Sequence, residues 1–299
     1  MDTLESLRNK SEGAEDLKSV VRSMKAMAAA NVVQYEMSVA SLGDYYRTVA
    51  LGIIAYLKAE KINTISDKKK EQKKNHERLI CAIVFGSDQG LVGQFNDSMA
   101  DFVSKSLNAL QGKKEVWAVG ERIQLLLSDM GFTTTKIYTV PGAVNAITSL
   151  VGKILTDSEE SHEKEHVDEF YIFHNQPKPG AGYEPVVQRF LPLDEKWMDS
   201  LKKLHWPTKL LPQVAGGIKS TLLALIREYL FVSLFKACAE SLASENSSRL
   251  AAMQRAEKNI EELLDDLSHK FHRLRQSSID EELFDVVSGF ETLKYDNKK

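Results

Sequence analysis

The sequence predicts an α/β protein in which long N- and C-terminal helices form an antiparallel coiled coil and a small α/β domain is inserted between them. All seven prolines lie between Pro141 and Pro212, so both ends of the chain are free to form long helices. The 71 residues from Ile218 to Ser288 contain neither glycine nor proline. At ~1.5 Å per residue, an unbroken helix of that length would reach about 106 Å.

The C-terminal helix shows the apolar spacing of a coiled coil, with steps of three and four residues. The predicted seam consists of Ile218, Leu222, Leu225, Tyr229, Val232, Leu250, Met253, Ala256, Ile260, Leu263 and Leu267. Between its two halves, residues 237–248 are mostly small. Small side chains let a partner backbone approach closely, so we expect tight but weakly driven packing there.

The N-terminal helix carries a matching stripe of Leu17, Val21, Met24 and Ala28, which Asn31 and Tyr35 continue. A polar residue on a seam weakens packing and often fixes the register, which is the role expected of Asn31. An exposed helix needs a partner for its apolar stripe, and the C-terminal helix is the expected one. The alternative is a compact bundle of two amphipathic helices.

The middle of the chain alternates between strand and helix patterns, which predicts a small Rossmann-like α/β domain. The predicted strands are 78–85, 116–119, 134–140, 170–175 and 185–191; the predicted helices are 95–110, 121–130 and 143–155. The acidic stretch 157–169 is expected to be a loop. The predicted domains are an N-terminal coiled-coil helix (1–60), a charged linker (61–77), the α/β domain (78–206) and a C-terminal coiled-coil helix (214–294).

Composition narrows the function classes. A net charge of −3 argues against a nucleic-acid binder. The basic run at 68–75 has no interleaved aromatic residues, so a solvated linker is favoured over a lipid or nucleic-acid patch. Cys81 and Cys238 lie in apolar stretches and are expected to be buried free thiols. No run of ~18 apolar residues and no signal-peptide pattern occurs, so a cytosolic location is expected.

A glycine-rich segment, Gly86–Asn96, follows the first predicted strand, where nucleotide-binding folds bind phosphate. Its spacing matches neither dinucleotide nor phosphate-loop motifs, and Asp88 would repel phosphate. A structural turn is favoured, with Asp88 and Asn96 bonded to local backbone. Nucleotide binding stays open as an alternative.

Catalytic and metal-site motifs are not found. His162 and His166 lie in a stretch expected to be irregular, where only weak metal binding is expected, and His269 and His272 are expected on the exposed side of the long helix. We therefore predict no catalytic residue, no cofactor and no metal.

Three segments carry a family resemblance. Residues 240–253 (ESLASENSSRLAAM) and 271–289 (FHRLRQSSIDEELFDVVSG) resemble, without gaps, two motifs of the gamma subunit of F-type ATP synthases. Residues 20–29 (VVRSMKAMAA) resemble that family's N-terminal motif, and 87–96 resemble its glycine-rich loop, which is structural in that family.

This resemblance implies a central rotor shaft, one copy per complex, whose turning drives the beta-subunit catalytic sites through their states in sequence. The implied partners are the alpha and beta subunits, the epsilon subunit and the membrane rotor ring. Arg275, Gln276 and Asp280 match the residues that contact a beta-subunit loop, and Met24 and Lys25 match the region facing the beta lever. Val286, Val287 and Phe290 would lie in an apolar bearing. The implied location is the cytoplasmic face of a prokaryotic inner or plasma membrane.

Three departures from the family pattern suggest a divergent branch, of which an alternative ion-pumping ATPase is one possibility. Residues 11–16 are acidic where the family is basic, 31–34 read NVVQ in place of KLRR, and Asp280 replaces threonine. Two other functions are also compatible with the residues. One is a nucleotide-binding α/β protein dimerised by its coiled coil, and the other is a non-rotary coiled-coil adaptor.

Overall fold

The computed structural model describes residues 3–59, 78–164, 166–178, 182–193, 195–208, 210, 212 and 218–296, with backbone only at 59, 195, 196, 200, 202, 218, 219 and 289–296. The predicted linker at 61–77 lies outside these residues. The chain divides into two compact units. The terminal unit contains Met1–Met27 and Leu250–Lys299, and the central unit contains Ala28–Arg249.

Along the chain, a segment of strands and shorter helices lies between two long helices, as predicted. The elements are α1 Leu4–Ala59, β1 Leu79–Phe85, α2 Phe95–Asn108, β2 Lys113–Val119, α3 Glu121–Asp129, β3 Thr134–Tyr138, α4 Val144–Lys164, β4 Glu169–Pro177, β5 Tyr183–Leu191, α5 Glu195–Lys202 and α6 Ile218–Asp296. None of the helices, over their described residues, is long and apolar enough to cross a bilayer.

In the terminal unit, the start of α1 pairs antiparallel with the second half of α6. Leu7 and Ala14 are buried and Val21 is half-buried, which gives a seven-residue step along α1. Met253, Ile260 and Leu267 give the same step along α6. A seven-residue repeat of buried positions is the hallmark of a coiled-coil seam.

Two residues assigned to this seam lie outside it. Leu17 is 60% exposed and Leu263 is 48% exposed. Their neighbours Lys18 and Leu264 are half-buried in their place. The prediction was wrong at these two positions because a step of seven from Ala14 and Val21, or from Ile260 and Leu267, passes beside both leucines.

In the central unit, the rest of α1 also runs antiparallel to α6. Asn31 donates to the amide oxygen of Asn246 at 3.3 Å, so the polar seam residue is paired across the two helices. Further along, the hydroxyls of Tyr46 and Tyr229 are 2.9 Å apart. The last turns of α1 pack with Tyr229 and with Met198 of α5, a helix that was not predicted.

The five-stranded sheet has the order β3-β2-β1-β4-β5. The pairs β3–β2, β2–β1 and β1–β4 are parallel, and β5 runs antiparallel along β4. Helices α2 and α3 cover one face, and α4 with residues 234–243 of α6 covers the other. Burial on both faces explains why β1 reads as an unbroken apolar run.

The expected loop at 157–169 is wrong over its first half, because α4 continues to Lys164. Its buried face passes from Ile154 to Ser158 and Ser161, which keep the helical spacing with small polar side chains. The Ser158 hydroxyl donates to the Leu155 carbonyl at 2.8 Å, so its polar group is satisfied inside the helix. Acidic composition concealed the helix because serine replaces the apolar residues that mark a buried face.

Candidate interaction sites

The glycine-rich loop is held by its own side chains. The Asn96 amide oxygen accepts from the Ser87 backbone N–H at 3.0 Å, and its amide nitrogen donates to the Ser87 hydroxyl at 2.8 Å. Gly86 lies against α3, where an added Cβ would be 2.3 Å from the Ile123 Cβ. A structural turn was predicted here, and the local bonding predicted for Asn96 is confirmed.

Asp88 accepts hydrogen bonds from residues much farther along the chain than predicted. Its carboxylate accepts from the backbone N–H of Glu121 at 3.1 Å and from that of Val140 at 2.9 Å. The first contact caps the N-terminus of α3, where free N–H groups and the helix dipole favour an anion. The prediction of local bonding is therefore wrong for Asp88, whose carboxylate connects three loops at the carboxyl edge of the sheet.

Helix α6 fills the place where an open α/β sheet of this order binds a ligand. The strand order reverses between β1 and β4, and ligands of such folds bind beyond the carboxyl ends of the strands at that point. Here the Ser244 hydroxyl donates to the carbonyl of Asn175 at 3.0 Å, and the Ser248 hydroxyl donates to the carbonyl of Val92. The Asn175 amide in turn donates to the Phe95 carbonyl at 3.3 Å. The crevice is occupied by the chain itself, which argues against nucleotide binding there.

The small-residue stretch of α6 also carries a buried carboxyl group. Burial raises the pKa of Glu245, and the Arg249 guanidinium, which donates to it at 2.7 Å, opposes that shift. Burial likewise raises the pKa of the Cys238 thiol far above its ordinary value. Cys81 and Cys238 are both buried free cysteines, as predicted.

Of the two residues assigned to the beta lever, Met24 is half-buried and Lys25 is engaged within the coiled coil. The Lys25 ammonium and the Arg22 guanidinium both donate to the Glu257 carboxylate, Arg22 at 2.8 Å. Hydrogen bonds from Lys25 and Arg22 hold the pKa of Glu257 below its usual range. Lys18 pairs with Glu261 at 2.9 Å.

These ion pairs define which residue of α6 lies opposite the first residue of α1. The paired residue numbers add up to 279 (18 with 261, 22 with 257), so Leu4, the first helical residue, lies opposite Arg275. Helix α6 continues to Asp296, past the start of α1. We call residues 276–296 the terminal segment of α6.

The terminal segment and the residue before it hold the other predicted contacts. Arg275, Gln276 and Asp280 are exposed, as are Val286 and Val287 at 72% and 48%. The side chain of Phe290 lies outside the described residues. At 100° per residue, Gln276, Asp280, Leu283 and Val287 share one face, and Arg275, Ile279 and Val286 share the adjacent one. Together the two faces form one broad exposed stripe, which is mainly polar near Arg275 and apolar near Val287.

The remaining positions considered for metal binding are the histidines of the central unit. Within the described ranges, no three His, Cys, Asp or Glu side chains come together as a metal site. His162 lies in α4, rather than in an irregular stretch, and its Nδ1 is 2.9 Å from the Val167 carbonyl oxygen. Sequence reasoning missed the polar contacts between α6 and the sheet, although the four-residue spacing of Glu240, Ser244 and Ser248 was visible.

The sequence is similar to a protein family and to individual members of it. The model of the ATP synthase family matches residues 3–293. The chain is 26% identical to the ATP synthase gamma chain of Lachnoclostridium phytofermentans, over 97% of this chain and 98% of that one. It is 31% identical to the gamma chain of Glaesserella parasuis, over 69% of this chain and 72% of that one.

Solved structures share the fold. One chain in the Euglena gracilis mitochondrial ATP synthase, in a structure of OSCP, F1 and the c-ring, superposes with a TM-score of 0.66 at 14% identity, covering 99% of this chain and 96% of that chain. A central-stalk and c-ring structure from Tetrahymena thermophila gives 0.53 at 19% identity, covering 79% and 99%. Since the family model spans nearly all of the sequence and the gamma chain of Lachnoclostridium phytofermentans aligns with 97% of it, the chain belongs to the gamma-chain family of ATP synthases.

Proposed function

We propose that this chain is the central rotor shaft of a rotary F-type ATP synthase or ATPase, coupling rotation of a membrane ring to the beta-subunit catalytic sites. One copy would work with the alpha and beta subunits of a catalytic hexamer, the epsilon subunit and the ring. Its family membership supports this role, as does its likeness to a chain in the central-stalk and c-ring structure from Tetrahymena thermophila. The observation that carries the proposal is the exposed stripe on the terminal segment.

That stripe needs a partner. Leu283, Phe284 and Val286 are 64%, 72% and 72% exposed on a helix that has passed the end of α1. Contiguous exposed apolar surface marks an interaction site in soluble proteins. A bearing formed by the hexamer would cover it without the directional bonds that would hold a rotor in one position.

The polar end of the stripe suits a contact that forms and breaks. Arg275 offers five donors in a planar fork, and Gln276 offers both a donor and an acceptor. We assign Arg275, Gln276 and Asp280 to a beta-subunit loop, and Val286, Val287 and Phe290 to the bearing. Asp280 would repel an acidic loop, so its contact requires a donor on the beta subunit.

We assign Met24 and Lys25 to the surface that faces the beta lever. Lys25 has three N–H donors, so it can share its ammonium between Glu257 and an incoming beta carboxylate. That competition would make the contact weaker than one made by a free lysine. The shaft would consist of the predicted domains 1–60 and 214–294. The predicted linker at 61–77 would connect it to the α/β domain at 78–206.

We further propose that the complex lies at the cytoplasmic face of a prokaryotic inner or plasma membrane. The bacterial origin of the relatives named above supports this location. The divergent residues at 11–16 and 280 suit an alternative ion-pumping ATPase, within the same rotary class.

Co-purification tests the proposal directly. The chain, produced together with alpha- and beta-type subunits from the same genome, is expected in a complex of about one copy per three alpha and three beta subunits. Replacing Arg275 and Gln276 together by alanine should lower ATP turnover about tenfold, the effect of losing ~1.4 kcal/mol of stabilisation. Arg273→Ala, on the exposed surface of the same helix, is the matched control.

Two results would contradict the proposal. A stable homo-oligomer with no affinity for alpha and beta subunits would support the adaptor function instead. ATP binding by the isolated chain, seen by calorimetry and abolished by a bulky substitution at Gly86, would support the nucleotide-binding alternative.

A further inference from the structure

Helix α6 carries a polar ladder on the side that contacts the sheet. Glu240, Ser244 and Ser248 are four residues apart, so their side chains lie above one another on one face. We call these three residues the α6 ladder. All three, and all their partners, belong to the central unit.

Each ladder residue contacts a different point of the α/β domain. The Glu240 carboxylate is 2.8 Å from the Nε2 atom of His174 in β4. The Ser244 hydroxyl bonds the carbonyl of Asn175 near the end of β4, at 3.0 Å. The Ser248 hydroxyl bonds the carbonyl of Val92, in the loop after β1.

The contact between Glu240 and His174 is deeply buried. Their side chains are 7% and 6% exposed. Lys236, which is half-exposed, places its ammonium group 3.7 Å from the other carboxylate oxygen of Glu240. Removing the His174 ring would leave the buried Glu240 carboxylate without one of its hydrogen-bond partners, which is costly.

The ladder has a mechanical consequence because its neighbours are small. Ala237 and Ser241 lie on either side of Glu240 along the same face of the helix and are both buried. Small side chains give the helix few ridges there, and ridges packed into grooves are what hold a helix against turning. Hydrogen bonds have a preferred direction, whereas apolar contact has none. Turning α6 about its axis relative to the sheet would therefore break all three ladder contacts together.

We propose that the α6 ladder, with His174, is the joint that transmits torque between the shaft and its α/β domain. Glu240, Ser244, Ser248 and His174 are positioning residues: they hold the rotational setting of the domain on α6 and touch no reacting group. This inference rests on the rotor function proposed above and names the residues through which rotation would pass.

The test measures torsional stiffness in the assembled complex. A rod is attached through an introduced cysteine, Lys105→Cys, on the exposed face of α2, and its angular fluctuations are recorded while the hexamer is stalled. The native thiols at Cys81 and Cys238 are buried and do not compete for the label. ATP synthesis under an imposed ion gradient and ATP hydrolysis without load are measured in parallel.

The double variant S244A/S248A removes two of the three directional bonds, and we expect the angular variance to rise about two- to threefold. ATP synthesis under load should fall, while unloaded hydrolysis stays within about twofold of the wild type, since no catalytic contact changes. His174→Leu should act in the same direction. His174→Gln should restore stiffness because a glutamine amide can donate to Glu240 from nearly the same place.

Ser149→Ala, on the exposed face of α4, and His205→Leu, also exposed, are the matched controls and should leave the variance unchanged. Wild-type variance and loaded rate in S244A/S248A would overturn the inference, whether or not His174→Leu assembles. Equal losses in loaded and unloaded rates would also overturn it, since they indicate a purely structural role. Failure of the wild-type chain to assemble or rotate would refute the rotor function instead, which separates the two proposals.

Discussion

Helix α6 meets two environments along its length. In the central unit, all ten residues from Ala237 to Asn246 are buried, although the stretch ACAESLASEN is mostly small and polar. In the terminal unit, Met253 and Leu267 are buried while Leu263, Leu283 and Phe284 are exposed. The stretch with the smaller side chains is thus the more deeply buried one. Hydrogen bonds of Glu240, Ser244 and Asn246 offset part of the cost of burying its polar groups.

The largest effect is expected from shortening one leucine in each environment. Leu234→Ala, at a fully buried position, should lower the free energy of unfolding by about 2–5 kcal/mol. Leu264→Ala should cost about 1–2 kcal/mol, because part of the side chain is already in water.

The tryptophans make these two effects separable in urea unfolding. Trp117, Trp197 and Trp206 all belong to the central unit. Leu234→Ala should therefore shift the fluorescence transition, and Leu264→Ala should shift only the circular-dichroism signal. Equal shifts in both signals for both variants would mean that the chain unfolds as a single cooperative body.

A smaller effect tests the seam of the terminal unit. Val21→Asn places a polar amide on the seam and should cost about 1–2 kcal/mol. Leu17→Asn should stay within about 0.5 kcal/mol, since Leu17 is 60% exposed. Thermal unfolding followed by circular dichroism compares the two variants, and a larger loss for Leu17→Asn would show that the seam lies one residue away.

The ion pairs of the same unit predict a pH dependence. Lys25 and Arg22 lower the pKa of Glu257 in the folded chain, so its contribution to stability is present above the unfolded pKa, about 4.3. That contribution is lost as the pH falls through the lower folded pKa. Glu257→Gln should therefore be less stable than the wild type at pH 7, and the difference should disappear in acid.

High salt should reduce the same difference, since exposed ion pairs are screened. Glu282→Gln, which removes a carboxylate from the exposed surface of the same helix, is the matched control. A difference that persists in acid would assign the effect of Glu257→Gln to packing.

The smallest effect on the chain itself is expected from the terminal segment. Leu283→Asp and Val287→Asp should leave its melting temperature unchanged, because both side chains are already exposed. The same variants should weaken assembly with alpha and beta subunits, measured by size-exclusion chromatography. Unchanged assembly would remove these two residues from the proposed bearing.

Periodicity predicted the two long helices, their antiparallel pairing and the inserted α/β domain. It failed where burial does not depend on apolar residues. Ser158 and Ser161 continue the buried face of α4, and Lys18 takes the seam place given to Leu17 because it pairs with Glu261. These features depend on partners distant in sequence, which a local pattern does not contain.

The candidate contact residues were likewise predictable from the sequence only in part. Family resemblance identified Arg275, Gln276 and Asp280, and helical periodicity then places Gln276 and Asp280 on one face with Arg275 beside them. The ion pair between Lys25 and Glu257 could not be predicted from the sequence, because it depends on the register between two helices and its partners are 232 residues apart. The reach of Asp88 to Glu121 and Val140 depends on the sheet order in the same way.

The position of Asp88 has a consequence for how the shaft responds to its surroundings. A rotary complex that turns over ATP is surrounded by nucleotide, whose concentration changes with the rate at which the cell consumes ATP. A carboxylate fixed at the N-terminus of α3 acts as an internal anion, so phosphate groups are excluded where the fold would otherwise attract them. We therefore expect the stiffness of the α/β domain not to change with the ATP level, which leaves sensitivity to nucleotide to the catalytic subunits.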